Sequence, residues 1–420
     1  MNIVILNNFW QYENSDRWDF ELVEYDKWFC HQSYHITYIV NERGRSCVTA
    51  PESLCSIYEV TDFKDAAQLE AIMAEVIACH GPVDRVIAFS ENLLTPAAML
   101  REKFAIFGPK QQETERFRNK VVMKELVARA GLRVPKFIGL AQDVSGIASP
   151  LARFIAEVGF PLILKPVDGA SSIGVKRIDS QQQLDLALEG CTQGQWQLEE
   201  FIEGEVYHVD GLVDAQGQIL FSVSSRYINT CLEFSFVSPL GSTMVDPNSE
   251  LHQHLEQFSQ ASLDALTLIN SAFHLEVFVT ADNEIIFLEV GARVAGADVP
   301  YVIAHNTGIN LFSHWVDLIV NQHTEIQPTY RGLGAWLMFG LPEQLPQKVL
   351  GVSQFMGRVS SVYRQFLPES QSLLFKEGGY CSLQSGRFLF SNQCALSLQA
   401  DVNYVVEQFQ IELQPVEESQ

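Results

Sequence analysis

The sequence predicts a mixed α/β protein: a doubly wound unit at the N-terminus, a central α+β unit and a small β-rich unit at the C-terminus. Three observations lead there. A chain of 420 residues exceeds what one compact core accommodates. Residues 1 to about 108 alternate strand-like and helix-like segments, the signature of a parallel sheet with helices on its faces. Beyond Pro328 the pattern becomes short strands and turns, at 332–339, 349–356 and 386–391. The expected units are therefore 1–108, 109–327 and 328–420.

In the first unit, the apolar runs 3–6 and 35–40 read as buried strands, 65–79 has helical spacing and 85–89 is another short strand. The turn Asn7-Asn8-Phe9-Trp10 has no glycine, so the dinucleotide-binding fingerprint is missing. The central unit is expected to open with a helix over 113–130, with Val122, Leu126 and Ala130 four residues apart. Gly131 supplies its stop and Pro135 follows.

Bulk composition narrows the function. Hydrophobic residues make up 47% and charged residues 19%, a globular balance. A formal charge of −23 argues against a nucleic-acid binder and against adhesion to an anionic membrane. The eight cysteines include no Cys-x-x-Cys pair and no zinc spacing, and read as reduced thiols. The N-terminal run lacks a basic flank, and no apolar stretch approaches the ~18 residues of a membrane span. A cytoplasmic protein is expected.

Four local features carry chemistry. Lys165 ends the apolar run 160–166 and precedes Asp168-Gly169-Ala170-Ser171-Ser172-Ile173-Gly174. A charge at the end of a buried strand needs a partner, and a loop of glycines and serines offers amides and hydroxyls to phosphate oxygens. The alternative is an ordinary hairpin with a strand-edge lysine. Next, Glu199-Glu200-Phe201-Ile202-Glu203-Gly204-Glu205 joins two strand-like runs. Such a linker presents backbone groups to an adenine edge and a carboxylate to ribose, or is merely a solvated acidic connection.

The third feature is a hairpin formed by 274–280 and 284–290. A two-residue Asp282-Asn283 turn sets Glu276 opposite Glu289 at ~5 Å, and Phe278 opposite Phe287 on the same face. Two facing carboxylates repel unless a cation intervenes, and magnesium prefers carboxylate and phosphate oxygens. A three-residue loop would shift the register and send the two glutamates to opposite faces. The fourth is Arg293, within Gly291-Ala292-Arg293 directly after the second glutamate. It is placed to stabilise charge that develops during phosphoryl transfer, or is a surface arginine.

The order of these features, preceded by Lys120 in Arg118-Asn119-Lys120, resembles the ATP-grasp superfamily over roughly 83–327. Within it the chain is most similar to amino-acid ligases that form dipeptides, with biotin carboxylase and D-alanine–D-alanine ligase more distant. The resemblance implies an ATP-grasp fold and an ADP-forming carboxylate–amine ligase that uses ATP and Mg2+. Residue by residue, it implies Lys120 and Lys165 on the ATP phosphates and Ser171 and Ser172 on the loop above them. Glu199 and the backbone of Glu200, Phe201 and Ile202 would hold adenine, and Glu205 the ribose. Glu276 and Glu289 would hold magnesium, and Arg293 would act with Lys165 in catalysis. Many relatives place an asparagine ligand where Gly291 stands here, which leaves the number of magnesium ions open.

The substrates are less legible. Glu91, after an N-terminal strand, is the candidate for a substrate ammonium, or else part of the acidic first turn of a helix capped by Ser90; Arg226 is the candidate for a substrate carboxylate, with a structural ion pair an equal reading. His208 and Asp210 share a face and receive no role. ATP and small carboxylate and amine substrates are the expected partners, and the family resemblance suggests a homodimer. Two other readings remain: a ligase acting on a peptide or carrier-bound substrate, and a nucleotide-binding protein without turnover.

Overall fold

The computed structural model describes residues 1–9, 23–140, 148–169, 172–191, 195–230, 233–235, 237–375 and 384–416. The N-terminal apolar runs form β1 (Asn2–Asn7), β2 (His35–Val40), β3 (Cys55–Glu59) and β4 (Arg85–Ala88). They make a parallel sheet in the order β3-β2-β1-β4. Ile3, Ile5 and Tyr38 pack on one face, Val4, Leu6 and Ile39 on the other. Burial on both faces is why β1 and β2 read as unbroken apolar runs. The edge strand β3 is half-exposed and escaped the sequence reading. The helix Ala66–His80 covers the second face, its start capped by Asp65, whose carboxylate accepts from the Gln68 N–H.

The helix expected over 113–130 is two helices, Gln111–Glu115 and Lys120–Arg129. Asn119 divides them: its side-chain oxygen accepts from the Val121 and Val122 N–H groups and so starts a second helix. The Lys120 N–H, in the first turn, donates to the Val167 carbonyl at 3.0 Å and ties that helix to the glycine-rich loop.

Four strands, β5 (Phe137–Leu140), β6 (Leu162–Pro166), β7 (Lys176–Ile178) and β8 (Trp196–Glu200), form an antiparallel sheet ordered β5-β8-β6-β7. Next come β9 (Glu205–Val213), β10 (Ile219–Asn229), β11 (Leu240–Met244), β12 (Ser271–Val279) and β13 (Ile285–Gly291). The C-terminal stretch adds β14 (Leu333–Gly340), β15 (Gln347–Val352), β16 (Val362–Phe366), β17 (Leu373–Leu374), β18 (Gln384–Asn392) and β19 (Ile411–Pro415). An eight-stranded sheet runs β13-β12-β9-β10-β11-β14-β18-β16, and β17-β15-β19 form a smaller one. Strands from beyond residue 328 therefore complete the central sheet, and the division at 327 lies in the connection between the helix Leu311–Asn321 and β14.

The β12–β13 hairpin exists, but its register differs from the expected one. The Thr280 N–H donates to Glu284 O at 3.0 Å, and Asn283 adopts a φ of 62°, closing a three-residue loop over 281–283. Asparagine tolerates that left-handed conformation better than most residues with a side chain. Pairing runs Val279↔Ile285, Phe278↔Ile286 and Val277↔Phe287, and then a bulge at Leu288 restores Glu276↔Glu289. The expected partnership of Phe278 with Phe287 is wrong: Phe287 is buried in the core on the opposite face. The glutamate pairing holds because the bulge cancels the loop's extra residue.

Candidate active site

The β5-β8-β6-β7 sheet and the eight-stranded sheet line one cavity of about 510 Å³. Of the expected site residues, Lys120, Lys165, Ser172, Glu199, Glu200, Phe201, Ile202, Glu276 and Glu289 line it. Ser171 lies outside the described residues. The two-residue strand period sorts β6: Leu162 and Leu164 enter the core, while Ile163 and Lys165 face the cavity. The bulge at Leu288 lets two successive residues, Leu288 and Glu289, face it together.

One wall is a lysine cluster. Lys165 Nζ lies 3.0 Å from Glu199 Oε2, and Lys124 Nζ lies 2.6 Å from Glu199 Oε1. The Glu199 side chain is thus spoken for by two ammonium groups and does not reach for an adenine, which corrects the side-chain part of its expected role. Lys120 Nζ donates to Gly169 O at 2.5 Å and sits 3.2 Å from Glu289 Oε2. Lys124 was missed, although it stands one helical turn after Lys120 and therefore on the same face.

Burial and charge pull these groups in opposite directions. Burial pushes Lys124 down to about 8, with Glu199 opposing. Burial raises the Glu289 carboxyl, but Lys120 and Lys165 prevail and bring it to about 2. Burial likewise works against Glu199 and Lys165, yet Lys124 and Lys165 keep Glu199 below the ordinary range, and Glu199 and Glu289 keep Lys165 above it. Three ammonium groups meet the carboxylates Glu199 and Glu289, and Glu276 lines the same cavity, so Lys120 and Lys165 would act on a phosphate as local point charges and not through a net positive excess.

The linker 201–204 leaves β8 and enters β9 outside both sheets. The Glu200 carboxylate is tied to Arg133, both its oxygens 2.9 Å from Nη2, and Arg177 stacks on Phe201 at 4.4 Å. Gly204 is required here: a Cβ would lie 2.8 Å from the Val279 carbonyl. Glu205 departs from its expected ribose role, and Arg226 takes the ion pair of its two readings. They pair with each other at 3.0 Å, and Arg226 also reaches Gln399. Strand alternation turns Val206 toward the cavity and Glu205 away from it.

Glu91 and Arg293 lie beside the cavity. The Glu91 carboxylate accepts from both Arg118 and Arg293, and Arg118 also donates to Asp168 O at 3.1 Å. An ammonium at Glu91 would meet two guanidinium groups, so the ammonium role gives way to holding arginines. Gly291 makes room for the pair, since a Cβ there would lie 3.4 Å from Glu91 Oε2 and 3.3 Å from Arg293 Cγ. Glu289 and Glu276 both act on Arg293, whose guanidinium burial lowers from its usual value.

A second polar cluster sits behind Glu276. The Tyr227 hydroxyl donates to Glu276 Oε1 at 2.7 Å, and His274 Nε2 lies 3.4 Å from that same oxygen. His274 Nδ1 faces Asp210 Oδ1 at 2.8 Å, and Asp210 Oδ2 faces His208 Nδ1. His208 Nε2 then meets Ser242 Oγ at 2.9 Å, which also accepts from Trp336 Nε1 at 2.8 Å. Burial works against the His274 imidazolium, but Asp210 outweighs it and lifts the ring to about 9. Asp210, in turn, is held below the usual carboxylate range by the two histidines despite its burial.

Residues 158–300 match the family model of the ATP-grasp domain. The chain is 25% identical over 275 residues to the L-arginine-specific L-amino acid ligase of Bacillus subtilis, covering 63% of this chain and 64% of that protein. It is 25% identical over 271 residues to dapdiamide A synthase of Enterobacter agglomerans, covering 59% of each. The matches thus span about three fifths of these relatives' length. Among solved structures, an L-amino acid ligase from Bacillus licheniformis superposes with a TM-score of 0.71 at 19% identity, over 99% of both chains. An N5-carboxyaminoimidazole ribonucleotide synthetase from Thermotoga maritima does so with 0.65 at 15%, over 98% of this chain and 99% of that one. These likenesses establish the ATP-grasp fold. Among the described residues no helix is long and apolar enough to cross a membrane.

Proposed function

We propose that this chain, which carries an ATP-grasp domain in an ATP-grasp fold, is an ADP-forming ligase that joins an amino-acid carboxylate to an amine. The observation that carries the reading is the shared cavity: opposed glutamates, two lysines and a linker outside the sheets all face one space. The L-amino acid ligases among the similar proteins support the same chemistry.

In this reading the substrate carboxylate attacks the γ-phosphorus of ATP, the bond to the β-phosphate oxygen breaks, and ADP leaves. The neutral amine then attacks the acyl carbon, loses a proton and expels phosphate, so the product is lighter than its two precursors by one water. Lys120 and Lys165 bind the phosphates, the linker 201–204 takes the adenine edge and Arg293 steadies charge at the acyl centre. Ser172, at a φ of 54° on the loop above the cavity, helps cover the phosphates and exclude water. Glu276 and Glu289, opposed and lining the cavity, fit a hard divalent cation. When bound, magnesium would neutralise phosphate charge. The free thiols at Cys30, Cys55, Cys79, Cys191 and Cys394 suit the cytoplasm as the setting.

The test is turnover of ATP and magnesium with amino acids offered singly and in pairs. ADP and phosphate released only with a productive pair, together with the condensed product by mass, is the expected result. AMP and pyrophosphate would sink the acyl-phosphate route.

A further inference from the structure

The histidine–aspartate cluster behind Glu276 is a set of buried titratable groups that the proposed chemistry leaves unused. His208, Asp210 and His274 lie close enough together to suggest a metal site of their own. Their bonding argues otherwise. Both oxygens of Asp210 face imidazole nitrogens, His208 Nε2 faces Ser242, and His274 Nε2 faces Glu276. A cation would have to displace contacts already made in the interior, since Asp210 and His208 are completely buried.

Glu276 is where the cluster ends. Two groups from different strands converge on a single one of its oxygens: the Tyr227 hydroxyl of β10 at 2.7 Å and His274 Nε2 of β12 at 3.4 Å, both to Oε1. Each donor is itself held. Asp210 fixes the His274 ring through Nδ1, and the His208 ring packs against that of Tyr227 with centroids 4.8 Å apart. His208 is in turn anchored to Ser242, on which the β14 residue Trp336 also bonds.

We propose that Asp210 and Tyr227 are positioning residues for Glu276: they commit its Oε1 to protein donors and so leave Oε2 as the oxygen that meets a divalent cation. The proposal rests on the reading of Glu276 as a metal ligand. Carboxylates locked in this way do not spend rotamer freedom when the ion arrives, and the loss of such supporting contacts typically weakens metal binding 10–100-fold. The sequence places the device economically. Residues 208 and 210 on β9, and 274 and 276 on β12, are two apart and so share the cavity face, and the register His274↔Asp210 and Glu276↔His208 brings them side by side.

The experiment measures Mn2+ binding to the full chain by electron paramagnetic resonance in the presence of ADP, with metal-free ADP affinity and melting temperature recorded for each variant. Asp210→Asn removes the charge that holds His274, and Tyr227→Phe removes one donor while keeping the ring. The expected result is Mn2+ affinity weakened about 10–100-fold in Asp210→Asn and about 3–10-fold in Tyr227→Phe, with metal-free ADP affinity unchanged. Because phenylalanine fills the tyrosine's volume, Tyr227→Phe decides the question if Asp210→Asn does not fold. A lowered melting temperature with unchanged Mn2+ affinity in both variants would leave Asp210 and Tyr227 as core groups and overturn the proposal. Glu276→Gln separates the two layers. If Glu276→Gln also binds Mn2+ normally, the metal-ligand reading fails and takes this proposal with it; if it alone loses Mn2+, the ligand reading stands and the positioning is refuted.

Discussion

The lysine wall and the arginine corner are both cationic, and they are built differently. Lys124, Lys165 and Lys120 have side chains 0%, 6% and 10% exposed; Glu199, the partner of the first two, is at 3%, and Glu289, the partner of Lys120, at 33%. Arg118, Arg293 and Glu91 stand at 16%, 21% and 17%. The drier wall works at lower dielectric, where each charge is worth more to an anion and costs more if orphaned. The wetter corner joins distant parts: Glu91 meets Arg118 across 27 residues of sequence and Arg293 across 202. The wall is suited to grip phosphate, and the corner to hold an arginine in line across the boundary between the N-terminal sheet and the hairpin.

That contrast makes a ranked set of predictions. Lys165→Met should have the largest effect, about a 10²–10³-fold loss of turnover, because it removes a buried donor aimed at developing charge. Steady-state ATPase kinetics with a productive substrate pair would measure it, and a loss of only a few-fold would put the phosphate site elsewhere.

Lys124→Met should act on stability instead. Stripping one partner from a buried carboxylate costs about 3–5 kcal/mol, read from urea unfolding. The pH dependence sharpens it. Lys124 is lowered to about 8 in the folded chain, against ~10.4 when unfolded. Between those values the unfolded chain binds the extra proton, so this residue's contribution to stability rises with pH through the window and is lost as pH falls through 8. The gap between wild type and Lys124→Met should therefore widen from pH 8 to 10. A gap that narrows would contradict the burial-dominated assignment.

Glu91→Gln should lower turnover about tenfold, equivalent to ~1.4 kcal/mol, with little change in melting temperature. A variant that instead raises KM for the amine alone would return Glu91 to the ammonium role. Arg226→Ala should have the smallest effect, under about 1 kcal/mol of stability, since its pair with Glu205 is exposed. Unaltered KM values for both substrates would separate this pair from the site.

The site's legibility followed the range of the interactions. Lys165 at a strand end, the linker at 199–205 and the carboxylates at 276 and 289 could be read because each depends on local period and turn chemistry. Lys124 was also readable, four residues after Lys120, and was passed over. Arg118 and Tyr227 had no local signal, for their partners Glu91 and Glu276 lie 27 and 49 residues away. Glu205 misled for a related reason: a charge beside a binding loop looks available until a neighbouring strand supplies its partner.

The sequence by itself determined which residues share a face: period two along β6, β9 and β12 decides what meets the core and what meets the cavity. It also contained both halves of the hairpin register, the left-handed Asn283 and the odd residue Leu288. Tertiary structure decided how these combine. A three-residue loop alone would have put Glu276 and Glu289 on opposite faces, and the bulge alone would have done the same. Only their sum restores the pair, because strand pairing is settled by packing along the whole ladder. Partnership was decided in the same way: alternation assigns a side chain to a face, but which cation a buried carboxylate finds there depends on strands that meet only in the folded chain.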